Sequence, residues 1–305
     1  MRRIFPLFAL LVALAAIGAG CGGADGEEDD GAAAPATTGT VAEEPDPCAT
    51  EELTLVNEGQ LTIGTDNPAF PPWFEGGTPD GSEWEINDPS TGEGFESAVA
   101  YAVAEELGFS EDEVEWVVVP FNQSFRPGPK DFDFDINQIS YVDKRDQAVD
   151  FSDSYYDVNQ AVVTLRSSEF AEASSVDELR EAKLGAPVGT TSYDYIVENV
   201  QPSEDPAVYD TLNDTVSALK NRQVDGIVVD LPTAFFVTAV QVPNGTIVGQ
   251  FPSVGGQEYF GMVFEEGNPL RDCVNQALAD LRHGGELDDI QQEWLADKTD
   301  APVLE

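Results

Sequence analysis

Arg145 and Asp230 are the two side chains in this sequence whose placement could do chemistry on a small polar molecule. Arg145 lies in Ser140-Tyr141-Val142-Asp143-Lys144-Arg145-Asp146, just past an apolar strand ending at Ile136-Asn137-Gln138. A guanidinium grips a carboxylate through two parallel hydrogen bonds that an ammonium does not reproduce. The competing reading is a surface ion pair with Asp143, Asp146 or Asp150. Asp230 ends the apolar run Ile227-Val228-Val229, where open α/β sheets present ligand-binding groups, and a carboxylate there could hold an ammonium. Its rival role is to cap a helix starting at Pro232. Gly189-Thr190-Thr191-Ser192 offers backbone N–H groups and hydroxyls at a helix start, suited to a carboxylate or to simple capping. Phe70, Trp73 and Phe121 follow strands and either wall a ligand or plug loops.

Catalytic constellations are harder to find. His283 is the single histidine, in Arg282-His283-Gly284-Gly285 at a helix end, where it favours the helix dipole. No Ser/His/Asp or Cys/His arrangement is available, no metal-ligand spacing appears, and no cofactor is implied. Gly92-Glu93-Gly94 lacks the third glycine of a phosphate loop and follows no clear strand. Acids are so abundant that counting leaves carboxylate pairs open, and an enzymatic role is the weaker expectation.

The elements around these residues read as α/β. Leu61-Thr62-Ile63-Gly64 is a short strand followed by the Pro/aromatic loop Asn67–Phe74. Phe95, Ala98, Val99, Ala102, Val103 and Leu107 recur at helical spacing, with Gly108 as the stop. Glu115–Val119, Phe132–Ile136 and Asn159–Leu165 read as strands. Beyond them Lys183–Val188, Val208-Tyr209, Ile227–Asp230 and Tyr259–Phe264 are expected strands. They alternate with helices over Tyr193–Asn199, Asn213–Asn221, Pro232–Val240, Leu270–Arg282 and Leu287–Leu295. Such alternation argues mainly parallel sheets with loops gathered at the strand ends.

In this order and spacing the motifs resemble a known family, the extracellular solute-binding proteins, family 3, of polar-amino-acid ABC importers. The resemblance runs from about Gln60 to Trp294. It rests on Gln60–Asp66, Gly94-Phe95-Glu96, Phe132-Asp133-Phe134-Asp135 with the run to Arg145, Val149–Tyr156, Val188-Gly189-Thr190-Thr191 and Val224–Asp230. It implies a periplasmic-binding-protein-like type II fold, with two lobes joined by two crossover strands. Lobe 1 would comprise 52–160 plus 257–305, and lobe 2 161–256. Carried over by position, Arg145 would bind a ligand α-carboxylate, helped by Thr191 and its backbone, and Asp230 would hold the α-ammonium. Ser140 and Asn137 would add hydrogen bonds, Phe70 and Phe121 would pack the ligand side chain, and Asp66 stands where some members contact a cationic side chain. The implied partners are a small zwitterion, most simply an amino acid, and an ABC importer permease, with the chain acting as a monomer. Rival functions are a dehydratase of cyclic amino-acid precursors, a sensory ligand-binding module, and capture of a zwitterionic osmolyte. Two departures stand out: Asn137-Gln138 replaces small residues usual before Ser140, and the loop from Gly76 to Glu93 is long, leaving open whether it covers the cleft.

The ends of the chain and its charge complete the reading. Arg2 and Arg3 precede the apolar stretch Ile4–Ala19, which at roughly 16 residues is short for a bilayer span and reads as an export signal over 1–20. Gly18-Ala19-Gly20-Cys21 resembles a lipoprotein lipobox, with Gly18 where an apolar residue such as Leu is usual, so Cys21 is the expected acylation site and the chain is expected outside the cytoplasm, membrane-anchored through lipid, the alternative being an ordinary secretion signal with an incidental cysteine. An acidic Gly/Ala/Thr/Pro segment over 21–51 reads as a disordered tether. With Cys21 assigned to lipid, Cys48 and Cys273 are an even pair in an oxidising compartment, expected as a disulfide, the alternative being two buried thiols. The formal net charge is −44, and no Lys or Arg occurs from Ile4 to Phe125. Nucleic-acid binding and adhesion to anionic lipid both require a basic face and are disfavoured. Spread along the whole sequence, the acids read as a solvated surface adapted to a salty exterior. Folding stability measured by denaturant titration is therefore expected to rise steeply from low to molar salt, and a flat response would remove that reading.

Overall fold

The computed structural model describes residues 46–254, 256–295 and 301–305. The export signal, Cys21 and the tether as far as residue 45 lie outside them. The first part of the chain builds β1 (Leu61–Thr65), α1 (Phe95–Glu106), β2 (Val114–Val118), α2 (Phe121–Ser124), β3 (Phe134–Asp135), α3 (Asp143–Asp146), β4 (Asp150–Phe151), β5 (Tyr156–Val158) and β6 (Gln160–Leu165). Then come β7 (Leu184–Pro187), α4 (Thr191–Tyr195), β8 (Ala207–Tyr209), α5 (Leu212–Lys220), β9 (Gly226–Asp230), α6 (Leu231–Phe236) and β10 (Gly245–Gln250). The last elements are β11 (Glu258–Phe260), β12 (Val263–Phe264), α7 (Leu270–Gly284) and α8 (Glu286–Leu295). Among the described residues no helix is long and apolar enough to cross a membrane.

Two five-stranded sheets result, ordered β2-β1-β3-β12-β4 and β10-β6-β9-β7-β8. Each has three parallel strands, β2-β1-β3 and β9-β7-β8, completed by antiparallel neighbours. Strands β1 and β6 are buried along their whole length, as expected for strands covered on both faces. Period-two alternation then divides the second sheet's core: Val163, Ile227 and Val229 pack on one face with Leu219 and Val237. Val162 and Val228 pack on the other with Leu184 and Ile196. The first sheet's core joins Leu61, Ile63 and Phe134 to the apolar stripes of α1 (Phe95, Val99, Val103) and α7 (Val274, Leu278, Leu281).

The chain passes between the sheets twice, and the passing segments pair with each other. β5 and β11 form an antiparallel ladder that sets Tyr156 opposite Phe260 and Val158 opposite Glu258. The expected single strand Tyr259–Phe264 is therefore two strands in two sheets. The break falls at Gly261, where an added Cβ would lie 3.1 Å from Ser152 O and 3.1 Å from the Phe151 ring, so only glycine allows the chain to turn there without displacing its neighbours. The helices expected over Tyr193–Asn199 and Pro232–Val240 both form, and each finishes in a wide π turn, over Ile196–Val200 and Val237–Gln241. Strands β4, β5 and β10 have no counterpart in the sequence reading.

Both ends of the folded part differ from expectation. Residues 46–51, expected to belong to the tether, are instead tied to the folded chain. Cys48 is bonded to Cys273 on α7, Thr50 donates to Leu107 O at 2.8 Å, and Val56 N–H donates to Asp133 at 2.7 Å. At the other end, residues 301–305 lie on the second sheet instead of with the first lobe. Leu304 N–H donates to Gln250 O at 2.9 Å and its side chain enters the second sheet's core. The reason is that Gln250 sits near the free edge of β10, which offers unpaired backbone groups.

Two carboxyls are sealed in the first lobe. Glu96, on α1, is fully buried and accepts from the Tyr155 hydroxyl, from Gln138 N–H at 2.7 Å and from the Gln138 side-chain amide. Burial outweighs these donors and pushes its pKa up to about 7. Asp135, on β3, is likewise raised well above the usual range by burial. Both groups bind protons more readily folded than unfolded, so folding becomes more favourable as pH falls from about 7 toward the unfolded carboxyl range near 4.5. For Glu96 the gain is of order 3 kcal/mol. The thermal midpoint of the ligand-free chain is expected to rise from pH 8 to pH 5.5, and Glu96→Gln to raise it at pH 8 and flatten the trend; a variant with the wild-type slope would show that Glu96 is not the titrating group. The disulfide spans 225 residues, and closing so long a loop contributes about 5 kcal/mol in the chain-entropy model. Reduction without denaturant should lower the midpoint by roughly 10 °C. An unchanged midpoint in a demonstrably reduced sample would rule out that contribution.

Candidate ligand-binding cleft

The six parallel strands present their carboxyl ends to one cavity of about 660 Å³ between the sheets. From the first sheet, the loops after β1, β2 and β3 bring Asp66 to Phe70, Pro120 to Gln123, and Asn137, Gln138 and Ser140. From the second, the segments after β7, β8 and β9 bring Pro187 to Ser192, Asp210 to Asn213, and Asp230 with Thr233. Every residue singled out from the sequence as ligand-contacting, namely Asp66, Phe70, Phe121, Asn137, Ser140, Arg145, Thr190, Thr191 and Asp230, lines this cavity. The long loop from Gly76 to Glu93 contributes none of its wall. It packs beside the Pro/aromatic loop, where the buried Asn87 amide donates to Ala69 O and Phe74 O.

Arg145 is buried, 7% exposed. Its Nη1 donates to Ser140 O at 2.6 Å and its Nη2 to Gly189 O at 2.8 Å, while the guanidinium lies 4.4 Å from the centre of the Phe125 ring and 5.5 Å from that of Phe121. None of the acids expected as surface partners holds it; Asp150 pairs with Arg271 at 3.7 Å instead. Burial lowers the guanidinium's pKa to about 10, against the pull of Asp194 and Glu258, so it remains charged near neutrality.

Asp230 serves both roles weighed for it. It lines the cavity and caps α6, accepting from Thr233 N–H at 2.8 Å. Burial raises its pKa to about 6, opposed by Thr233 and reinforced by the negative charge of Glu258. Asp66, on the facing lobe, accepts from Asn67 N–H at 2.8 Å and is also raised by burial. Among the described residues neither carboxylate is in an ion pair. Thr190 caps α4, accepting from Tyr193 N–H at 3.2 Å and donating to Pro187 O at 2.9 Å. Phe70 reaches across to Phe236, with ring centres 6.1 Å apart. Of the two roles open for Trp73, wall or plug, it takes the second: it is fully buried in the first lobe's aromatic core and donates to Thr233 Oγ1 at 3.1 Å. Asn137 is buried, and its Nδ2 finds no hydrogen-bond partner.

Sequence reasoning missed two residues beside the cavity. Glu258, on crossover strand β11, accepts from Ser140 Oγ and from Thr191 Oγ1, both at 2.6 Å. Gln160, the first residue of β6, donates from Nε2 to both Glu258 oxygens at 3.1 Å and accepts from Ser192 Oγ at 2.6 Å. No sequence signal set this glutamate apart in a chain with 58 acidic residues.

The arrangement offers a cation and two carboxylates to a small molecule held between facing lobes. The family of bacterial extracellular solute-binding proteins, family 3, matches residues 61–297. The L-cystine-binding protein TcyJ of Escherichia coli (strain K12) is 27% identical over 167 residues, covering 54% of this chain and 61% of that protein. The chain thus spans about three fifths of that relative's length. A probable histidine-binding protein of Neisseria gonorrhoeae is 27% identical over 213 residues, covering 67% of this chain and 75% of that one. Among solved structures, an ancestral arginine-binding protein bound to glutamine matches with a TM-score of 0.62 and 27% identity, over 78% of this chain and 98% of that one. Since the family match takes in more than half of the sequence and the cleft with it, this chain belongs to the bacterial extracellular solute-binding proteins, family 3.

Proposed function

We propose that the chain is the extracytoplasmic binding component of an ABC importer, capturing an amino acid in the cleft and delivering it to a membrane permease. The observation that carries this reading is the pair of opposite charges at one cavity: a buried arginine among the loops of the first sheet, and Asp230 at the end of β9 in the second. A zwitterion presents a carboxylate and an ammonium a few bonds apart, and those two groups match that pair. The cavity's size is that of a small-molecule site. The relatives named for cystine and histidine, and the structure named for arginine and glutamine, support an amino acid as the ligand class.

In this reading the lobes are 46–160 with 257–295, and 161–256 with 301–305. They close by hinge motion about the β5–β11 ladder. Arg145 takes the ligand's carboxylate and Asp230 its ammonium, Asp66 and Asn137 face its far end, and Phe70 and Phe121 pack its side chain. The chain acts as a monomer, tethered through acylated Cys21, and releases its ligand unchanged. Treatment of exported protein followed by mass measurement of the N-terminal peptide tests the acylation.

Calorimetry against the common amino acids tests the core of the proposal. Micromolar affinity, about −8 kcal/mol, is expected for at least one. Arg145→Ala should weaken it at least a hundredfold with the fold intact, and Asp230→Asn should weaken amino acids but spare their des-amino analogues. The ammonium needs Asp230 ionised, and the free carboxyl titrates at about 6. Affinity should therefore be level above pH 7 and fall by up to tenfold per unit below 6, until the lower pKa of the bound state is reached. Binding that strengthens on acidification, or survives Arg145→Ala, would overturn these assignments.

A further inference from the structure

Glu258 decides which way the hydroxyl protons of the cleft point. A serine or threonine hydroxyl has one proton to give and two lone pairs to offer, whereas an ionised carboxylate only accepts. Ser140 Oγ and Thr191 Oγ1 each lie 2.6 Å from the same oxygen of Glu258, so both protons are spent on it. The 3.2 Å approach of the two hydroxyls to each other then involves no shared proton. The same holds for their neighbours: Ser192 gives its proton to Gln160 and Thr190 gives its own to Pro187 O. These four hydroxyl-bearing residues all line the cavity, and what they have left to offer is lone pairs, one on Thr191 Oγ1 already approached by Gln160 Nε2 at 3.3 Å and one on Thr190 Oγ1 by Tyr193 N–H at 3.2 Å.

This inverts the part that the family resemblance implies for Thr191, as a helper of Arg145 at a ligand carboxylate, and gives a direction to the hydrogen bonds expected of Ser140. As donors they would solvate a ligand carboxylate beside Arg145; as acceptors they favour N–H groups, and the Glu258 charge next to them opposes a second carboxylate. We infer that Glu258 is a specificity-determining residue, which turns Ser140 and Thr191 into acceptors and biases the cleft toward ligands rich in N–H donors and poor in carboxylate. The inference rests on the amino-acid-binding reading above and specifies it. Arg145 remains the anion contact, through those of its five N–H groups not given to Ser140 O and Gly189 O. Glu258 acts through the two hydroxyls and is a positioning residue.

A matched pair of probes isolates the effect: L-arginine, and agmatine, which lacks only the α-carboxylate. L-histidine and histamine serve as a second pair. Calorimetric dissociation constants for wild type and Glu258→Gln are compared as the ratio of amino acid to amine affinity. The glutamine keeps the size of the side chain, removes its charge and donates from its amide nitrogen to one hydroxyl, freeing that hydroxyl's proton for the ligand. The ratio is expected to move at least fivefold in favour of the amino acid; a smaller movement in a folded variant overturns the inference. Should Glu258→Gln fail to fold, Ser140→Ala gives an independent reading. A hydroxyl that donates to Glu258 and not to ligand, once removed, should change arginine and agmatine affinities together, within threefold of each other. A larger loss confined to arginine overturns the inference. Binding of no amino acid or amine by the wild type overturns the functional reading itself, whereas binding with an unmoved ratio overturns only the role of Glu258.

Discussion

A positive charge buried without an ionic partner among the described residues constrains the centre of this molecule. Taking a guanidinium out of water is costly unless its donors are met, and Arg145 meets that demand with carbonyls from both sides of the cleft, Ser140 O and Gly189 O. Its flat faces rest on Phe121 and Phe125, which exclude water while favouring a cation. The contact to Gly189 in turn demands that the second sheet's β7 loop come close. An added Cβ on Gly189, whose φ is +77°, would lie 2.6 Å from Asn122 Oδ1 of the opposite loop, so a side chain there would hold the lobes apart. Carbonyl partners compensate the cation only in part, leaving it an attractive seat for an incoming carboxylate.

The scarcity of cations shapes the rest. With 14 basic residues against 58 acidic ones, buried carboxylates are held by neutral donors. Tyr155 and Gln138 serve Glu96, and the backbone N–H groups of Thr62 and Val56 serve Asp133 at 2.7 Å each. Neutral donors satisfy a carboxylate's lone pairs but bring no opposing charge, so burial prevails and the pKa values of Glu96, Asp133 and Asp230 all rise, while Asp135 is raised by burial despite the positive charge of Lys130. Gln138 links one of these carboxylates to the cavity, lining it while its N–H donates to Glu96.

What could be read from the sequence follows from how local each feature is. Strand β9 and its terminal Asp230 were legible because a short apolar run ending in one acid at a helix start is a local pattern. Arg145 was conspicuous as one of few cations, although its burial was not, since Phe125 and Gly189 O come from a neighbouring loop and the opposite sheet. The two-residue strand β4 carries no period at all and exists only through its ladder to β12, and the division of Tyr259–Phe264 between two sheets turns on Gly261. The ordering of residues 46–52 is imposed by a bond to Cys273, and that of 301–305 by a free edge of β10, neither of which a local window contains. Glu258 was illegible for the opposite reason: its composition is common here, and its meaning lies wholly in three partners from distant elements.

Those three partners tie the cavity to the crossover strands. Ser140 follows β3 of the first sheet, Thr191 follows β7 of the second, and Gln160 begins β6 where the crossover enters the second lobe. All three converge on a glutamate that is itself a crossover residue, paired with Val158. A rigid separation of the lobes must therefore break at least one of the 2.6 Å hydroxyl contacts and leave a hydrogen-bonding group of the cleft to water. Each such charge-assisted bond is worth about 1.5–3 kcal/mol, comparable to the gap between two states of which the minor one is populated at the per-cent level. Under the proposed function, closure would draw on the protein's own carboxylate as well as on the ligand's, and Glu258 would contribute to the stability of the closed form.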